Sequence, residues 1–581
     1  VLAALDPEQR AVALASRGPV CVLAGAGTGK TRAVAHRIGY AVATGVVRPD
    51  RVLAVTFTTR AAGELRGRLR QLAHVAVPGA GLEHVQARTF HAAALRQLTH
   101  FWPTTVGGAP PAVLESKATL VADAARRMRL KLDPASVRDA AAEIEWAKVS
   151  GVRPDTYTDA AGRAGRAGPL PADQLAALYT GYEELRAQRH LVDFESVLEL
   201  TAAILAAHPV AAAAVRDRYR YFVVDEYQDV NPLQQLVLDQ WVGERDDLCV
   251  VGDPRQTIYS FAGATPGYLT GFSRRYPEAT VIRLVRNYRS TPQVLAVANR
   301  VFGRSAQNAP LVAESPPGQA ARFTEYESEQ AEAAEIAAQI AKEIRAGIPS
   351  ARMAILVRTN AMTAGFEAAL SAAGVPYQLR GAERFFERGE VKAATGLLRA
   401  AGRSASPDED PIEQIRPILT GLGLTDDPPA GRGKTRERWE SLNALAQFAD
   451  DFFAAAPEAT LADLAAELAQ RGALGLAPDA SGVTLASLHA AKGLEWDTVF
   501  LPCLTEGALP IVYAQTPEAI EEERRLLYVG VTRARQRLFL SWSLARETGG
   551  RRNRSPSRFI DDLRPPAGLR GRSPAGPRGG R

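Results

Sequence analysis

The chain has 581 residues, 46% hydrophobic and 23% charged, a globular composition too long for one hydrophobic core that points to three to five domains. Basic residues outnumber acidic ones by 70 to 64, and the resulting net charge of +6 and pI near 9.2 favour a polyanionic partner without identifying it. Cys21, Cys249 and Cys503 lie far apart in apolar runs, which excludes a disulfide framework or zinc spacing, and no stretch reaches the roughly 18 apolar residues of a membrane span or has a signal-peptide layout; the expectation is a cytoplasmic protein that does not enter a membrane.

In chain order, short β-branched runs at 20–23, 52–56, 221–224 and 248–251 alternate with Ala-, Leu- and Arg-rich stretches of helical period. That alternation predicts an α/β fold in which helices cover a parallel sheet. The first run leads into AGAGTGKT at 24–31, followed by a helix predicted over 32–43. Strand, glycine-rich turn and helix are the context of a phosphate-binding loop. Gly25, Gly27 and Gly29 let backbone N–H groups wrap phosphates, Lys30 reaches the β and γ phosphates, and Thr31 offers a hydroxyl to Mg²⁺. The predicted nucleotide-binding set is Ala24, Gly25, Ala26, Gly27, Thr28, Gly29, Lys30, Thr31 and Arg32.

Residues 102–190 break the alternation and predict a helical insertion, with a loop around 162–171. Strand signals then resume, and the run at 221–224 delivers DEYQD at 225–229 to a strand's C-terminal end. A carboxylate there faces the phosphate crevice, so Asp225 is assigned to Mg²⁺ and Glu226 to the attacking water, although an acidic pair after a strand is by itself more often a solvated helix start. Strands at 279–284, 353–357, 483–487 and 498–501 predict a second α/β lobe, interrupted by a second helical insertion at 387–481 with a loop at 426–434. Two segments of this lobe, NYRS at 287–290 and YVGVTRA at 528–534, carry Arg289 and Arg533. Arginines aimed at a transferring phosphoryl group stabilise its transition-state charge by about 10³ to 10⁵ in rate. After Leu563 the chain is rich in Pro, Gly and Arg, and a disordered tail is expected.

Single-strand binding without sequence preference needs aromatic platforms for bases and N–H or cationic donors for phosphates. Phe57, Tyr259 and Phe261 each follow a predicted strand and are the platform candidates; the opposing reading makes Phe57 and Phe261 core residues.

In order and spacing these segments resemble the motifs of superfamily 1A helicases of the UvrD, PcrA and Rep type, and the resemblance runs to about Leu563. LDPEQ at 5–9 is similar to the Q motif, which gives Gln9 the adenine edge. TFTTRAA at 56–62 and TFH at 89–91 resemble motifs Ia and Ib, and DEYQD resembles motif II. GDPRQTIY at 252–259 looks like motif III, in which Gln256 senses the γ-phosphate. The NYRS segment matches motif IV, with Tyr288 on adenine and Arg289 at the γ-phosphate; LHAAKGLE at 488–495 matches motif V, with Glu495 at the ribose; Arg533 of motif VI is the second γ-phosphate arginine. By the same resemblance Thr89, His91, Arg358, Asn360 and His489 meet the nucleic-acid backbone.

The resemblance implies two RecA-like lobes, 1A at 1–100 and 191–280 and 2A at 281–386 and 481–565, with insertions 1B at 101–190 and 2B at 387–480, ahead of a tail at 566–581. It further implies lobes that close on ATP and Mg²⁺, 3′ to 5′ movement on single-stranded DNA, action on 3′-tailed duplexes, repair or replication proteins as partners, and a monomer by default. Three departures bear on unwinding. Ala262 stands where the family has an arginine after an aromatic, a form similar to a second UvrD-type branch in actinobacteria; RETGGRRNR at 546–554 offers no aromatic for the strand-separating hairpin; and the second insertion is short. The four-cysteine segment and HRDC domain common in that branch are not expected here; the aromatic-free hairpin and the short second insertion make translocation better supported than unwinding. An ATP-gated clamp that does not travel is the alternative, RNA is compatible as the track, and a fused nuclease is disfavoured because the tail lacks a metal-binding constellation.

Overall fold

The computed structural model describes residues 1–166, 168–303, 309–359, 362–380, 388–402, 410–426, 434–455, 459–474, 482–512, 514–546 and 552–563. The chain divides into two units, Val1–Val285 and Arg286–Arg581.

The first unit is built on six parallel strands: β1 (Val20–Ala24), β2 (Val52–Thr56), β3 (Gln86–Thr89), β4 (Tyr221–Val224), β5 (Leu248–Gly252) and β6 (Thr280–Leu284). Their order is β3-β2-β4-β5-β1-β6. Strands β2, β4 and β5 are buried throughout, as valine-rich segments covered on both faces must be. β3 has little apolar signal of its own and lies outside the sequence expectation. β6 corrects that expectation: instead of opening the second lobe it pairs with β1 from Val20↔Thr280 to Ala24↔Leu284, so the first unit runs through Val285. The reason is tertiary, because an edge strand reads alike whichever sheet receives it.

The helical insertion hangs from a small strand pair, Ala112–Val113 with Leu191–Val192. Its helices Lys117–Arg127, Pro134–Val149, Tyr157–Arg163 and Ala172–Gln188 enclose a separate core of Leu120, Ile144, Leu178 and Tyr182. The loop expected at 162–171 begins slightly later, after the short helix Tyr157–Arg163.

The second unit repeats the architecture with β7 (Arg322–Tyr326), β8 (Met353–Val357), β9 (Tyr377–Arg380), β10 (Val483–Ser487), β11 (Trp496–Leu501) and β12 (Ala534–Ser543), ordered β7-β12-β11-β8-β10-β9 and parallel throughout. Its insertion consists of helices Gly389–Ala401, Pro411–Gly421, Lys434–Ala455 and Leu461–Leu474 around Leu398, Leu419, Leu442 and Leu464. All three cysteines are free and buried. Among the described residues no single helix is long and apolar enough to cross a membrane. Residues 547–551, the heart of the segment without an aromatic, and the tail from 564 lie outside the described residues.

Candidate nucleotide site and nucleic-acid track

Neighbouring strands β4, β5 and β1 deliver Asp225, Asp253 and the glycine loop side by side at their C-terminal ends. Gly27 and Gly29 take positive φ, +69° and +77°, and Gly29 caps the helix Lys30–Ala43. A side chain at Gly29 would also sit 2.6 Å from Gln9 Nε2. Gln9 is buried and donates to the Thr28 carbonyl at 3.1 Å, so the N-terminal helix Pro7–Leu14 is fastened to the loop. Arg32 points back to the Ala4 carbonyl, and Thr31 is partly exposed in the first helical turn.

Lys30 Nζ lies 3.3 Å from Glu226 Oε1. Burial pulls the lysine pKa down, but Glu226, Asp225 and Asp253 outweigh it and hold the ammonium above its usual range. Asp225 responds oppositely: burial and then the neighbouring Glu226 push its carboxyl up to about 6 against the pull of Lys30. Glu226 adopts a left-handed conformation, φ 53°, uncommon for a residue with a side chain and one that turns its carboxylate toward Lys30.

Two residues without an assigned role complete this cluster. The Gln228 amide donates to Glu226 Oε2 and, at 3.2 Å, to Asp229 Oδ2, while its carbonyl oxygen accepts from the Asp253 N–H at 3.0 Å. A side chain at Gly252 would lie 2.3 Å from that carbonyl oxygen, so the glycine is required by close approach. Asp253 in turn accepts from Gln256 Nε2 at 3.0 Å and from Arg255 Nε at 3.0 Å. Burial alone would raise the Asp253 carboxyl, but Arg255 and Lys30 bring it below its ordinary value. The sequence signal for Gln228 was its position inside the acidic run, where a neutral residue able both to donate and to accept can join two carboxylate-bearing loops.

Past Gln256 the chain reaches the aromatic candidates. Phe57 and Tyr259 stack at 5.6 Å and 14°, and Tyr259 meets Phe261 edge-on at 6.1 Å. Phe57 is 37% and Phe261 57% exposed, so neither is a core residue. On the adjacent strand end Thr89 caps the helix Phe90–Thr105, accepting from the Ala92 N–H at 3.2 Å, and His91 packs edge-on against Phe194 at 5.5 Å. Phe194 was not foreseen, yet it is 59% exposed at the first position of a helix capped by Asp193. Burial lowers the His91 pKa to about 4, leaving a neutral ring at neutral pH.

In the second unit Tyr288 is exposed, whereas its neighbours are anchored: Asn287 Oδ1 accepts from the N–H groups of Arg289 and Ser290, and Ser290 Oγ donates to the Ala534 carbonyl at 2.6 Å. Arg289 pairs with Glu495, which Arg535 also approaches at 3.4 Å. Arg533 is almost fully buried and donates to the carbonyls of Val529 and Leu494 at 2.9 and 3.0 Å. Arg358 makes a two-pronged pair with the buried Glu523, the closest contact being 2.7 Å, so its guanidinium has an internal carboxylate partner that sequence reasoning missed. His489 is held neutral, its pKa lowered to about 4 by burial and by Arg358. Asn360 lies outside the described residues.

Comparison with known proteins gives a consistent result. Residues 5–277 match the family described as UvrD/REP helicase N-terminal domain, and residues 282–407 and 411–545 match the UvrD-like helicase C-terminal domain. The chain is 52% identical over 579 residues to the ATP-dependent DNA helicase UvrD2 of Mycobacterium tuberculosis, covering 97% of this chain and 82% of that protein. It is 29% identical to the ATP-dependent DNA helicase UvrD1 of Mycobacterium bovis, covering 97% and 85%, and 28% identical to the ATP-dependent DNA helicase PcrA of Bacillus subtilis, covering 97% and 86%.

Proposed function

The chain belongs to the UvrD-like helicase family, and from that premise we propose that it is an ATP-driven motor that moves 3′ to 5′ along single-stranded DNA and displaces duplex or bound protein. One observation carries the reading. In the first unit a continuous path of polar contacts runs from Lys30 through Glu226, Gln228 and Asp253 to Gln256, and the chain continues directly into Tyr259 and Phe261. Groups suited to phosphates and groups suited to bases therefore share one segment, so a change in charge at one end bears on the other.

In this reading the loop N–H groups and Lys30 hold the β and γ phosphates, Glu226 orients the attacking water, and Gln256 senses the γ-phosphate. The Thr31 hydroxyl and the Asp225 carboxylate are hard oxygen donors suited to Mg²⁺, and Asp225, raised by burial while Lys30 sits on Glu226, is a carboxylate with capacity for a cation. Mg²⁺ bound there would neutralise charge on the phosphates. Gln9 and Tyr288 are assigned to adenine, Glu495 to ribose, and Arg289 and Arg533 to the γ-phosphate. Phe57, Tyr259, Phe261 and Phe194 stack bases, while Thr89, His91, Asn360 and His489 contact the backbone, the two histidines as neutral N–H donors. Arg358 acts through its pair with Glu523.

The deciding experiment compares strand displacement on 3′- and 5′-tailed DNA, and on the RNA equivalents, alongside ATP turnover. Displacement from the 3′ tail and ATP turnover raised many-fold by single-stranded DNA are expected. Intact DNA-stimulated turnover without displacement of a short duplex or a bound protein would convert the motor into an ATP-gated clamp, and full turnover without DNA would sink both. Gln228→Leu should retain nucleotide binding but lose about tenfold in DNA stimulation, since it cuts the path between the two sets of groups.

A further inference from the structure

The helix Pro134–Val149 of the first insertion ends against both aromatic clusters at once. Its penultimate residue, Lys148, has a side chain only 2% exposed, a placement lysine tolerates only when paired. Lys148 Nζ lies 3.0 Å from Asp193 Oδ2, 2.6 Å from Glu183 Oε1 and 2.8 Å from Ser196 Oγ. Asp193 is the cap of the helix that begins with Phe194: its other oxygen accepts from the Ser196 N–H at 2.7 Å, and its Oδ2 also accepts from the Tyr182 hydroxyl at 2.6 Å. On Phe194's other side Glu195 is buried and paired with Lys117 at 2.6 Å. The residue that bears this exposed ring is thus flanked along the chain by two buried carboxylates, each tied to a lysine of the insertion.

The last helical residue, Val149, makes the second contact. A Cβ at Gly263 would lie 2.7 Å from Val149 Cγ2 and 3.6 Å from Ser150 Oγ. Gly263 has φ +83° and closes the turn Ser260–Ala262 that presents Phe261. One helix end therefore bears on Phe194 through Lys148 and on Phe261 through Val149. Replacing a buried ion pair by apolar residues of similar volume is often neutral or stabilising, so stability alone does not account for charges at this junction.

We infer that Lys148 is a positioning residue for the nucleic-acid track: through Asp193 it fixes where Phe194 stands relative to the Phe57, Tyr259 and Phe261 cluster, and so sets the spacing of the base-stacking stations. This rests on the single-stranded DNA reading above. It assigns to the insertion a task inside the track, apart from any contact of its own with duplex.

The test uses the full chain, oligo-dT as the probe, and two readouts: the oligo-dT concentration that half-maximally stimulates ATP turnover, and turnover without DNA. Lys148→Met should raise that concentration about tenfold, of the order expected when one stacked base is lost. It should leave DNA-free turnover and turnover at saturating oligo-dT within about twofold. Combined with Phe194→Ala it should add nothing to the loss caused by Phe194→Ala alone, because the two act on one ring. An unchanged half-stimulating concentration, or additive losses in the double variant, overturns the inference while leaving the motor reading in place. Lack of stimulation of the unsubstituted chain by oligo-dT overturns both. Should Lys148→Met fail to fold, Asp193→Asn, which retains a helix cap while removing the charge Lys148 binds, is read by the same criteria.

Discussion

The two α/β units share a sheet plan but keep their charges in different ways. In the first, Lys30, Asp225, Glu226 and Asp253 gather at the ends of three neighbouring strands, and the lysine is shared among carboxylates. In the second, the assigned cations are satisfied internally: Arg358 by Glu523, Arg289 by Glu495, and Arg533 by backbone carbonyls. In the proposed function the first arrangement serves as a pre-formed cradle for phosphate and metal. The second stores positive charge that a ligand must draw away from existing partners, which suits groups that act at one stage of a cycle. Buried carboxylates differ too. The strand-end carboxylates of the first unit, Asp225, Glu226 and Asp253, face Lys30, whereas among the described residues Glu332 of the second accepts only from neutral donors, the Ser541 hydroxyl at 2.5 Å and the Cys503 N–H at 3.0 Å, and one of its oxygens has no hydrogen-bond partner.

The largest expected effect breaks the pre-formed side. Lys30→Ala should reduce ATP turnover by about 10³-fold or more, measured at saturating DNA, since it removes the cation around which three carboxylates are arranged. On the stored side, Arg533→Ala should lower turnover by about 10³-fold while changing nucleotide affinity much less. Equal losses in both would reduce Arg533 to the structural role its carbonyl contacts already describe.

Glu332 sharpens the contrast through pH. Burial, and to a smaller extent Glu329, raise its carboxyl from 4.5 to about 7. The native state therefore holds a proton that the unfolded chain has released, so the contribution to stability is complete below about pH 4.5 and is lost as pH rises through 7. Glu332→Gln should remove this dependence and stabilise the second unit at pH 8 by up to about 3 kcal/mol, read as the shift of its unfolding transition between pH 5 and 8. A pH dependence unaltered by the substitution would mean the carboxyl is ionised throughout. The smallest effect concerns the exposed ring: Phe261→Ala should weaken oligo-dT binding by about 1 kcal/mol, roughly fivefold, with little change in thermal stability because the ring covers no core. A large loss of stability would place Phe261 in the packing after all.

Much of this was legible in the residues. The strand, glycine turn and helix around Lys30 follow from local chemistry, because positive φ at Gly27 and Gly29 and the valine-rich strands are properties of short segments. DEYQD at a strand end and the helical character of both insertions were readable for the same reason. Strands β3, β7, β9 and β12 were not, since mixed or partly exposed strands carry weak periodicity. The destination of Thr280–Leu284 was decided by which sheet had an open edge beside β1.

The sequence by itself determined the chemistry available: a phosphate loop, acidic strand ends, and aromatics and arginines in a fixed order. Only the tertiary structure decided who partners whom. It joined Gln228 to Asp253, set Phe194 beside His91, gave Arg358 to Glu523, and brought Lys148 to Asp193. These pairs lie far apart along the chain or on separate loops, and for the buried charges and amides among them an unpartnered group is costly, so the packed fold rather than the neighbours in sequence chose the partner.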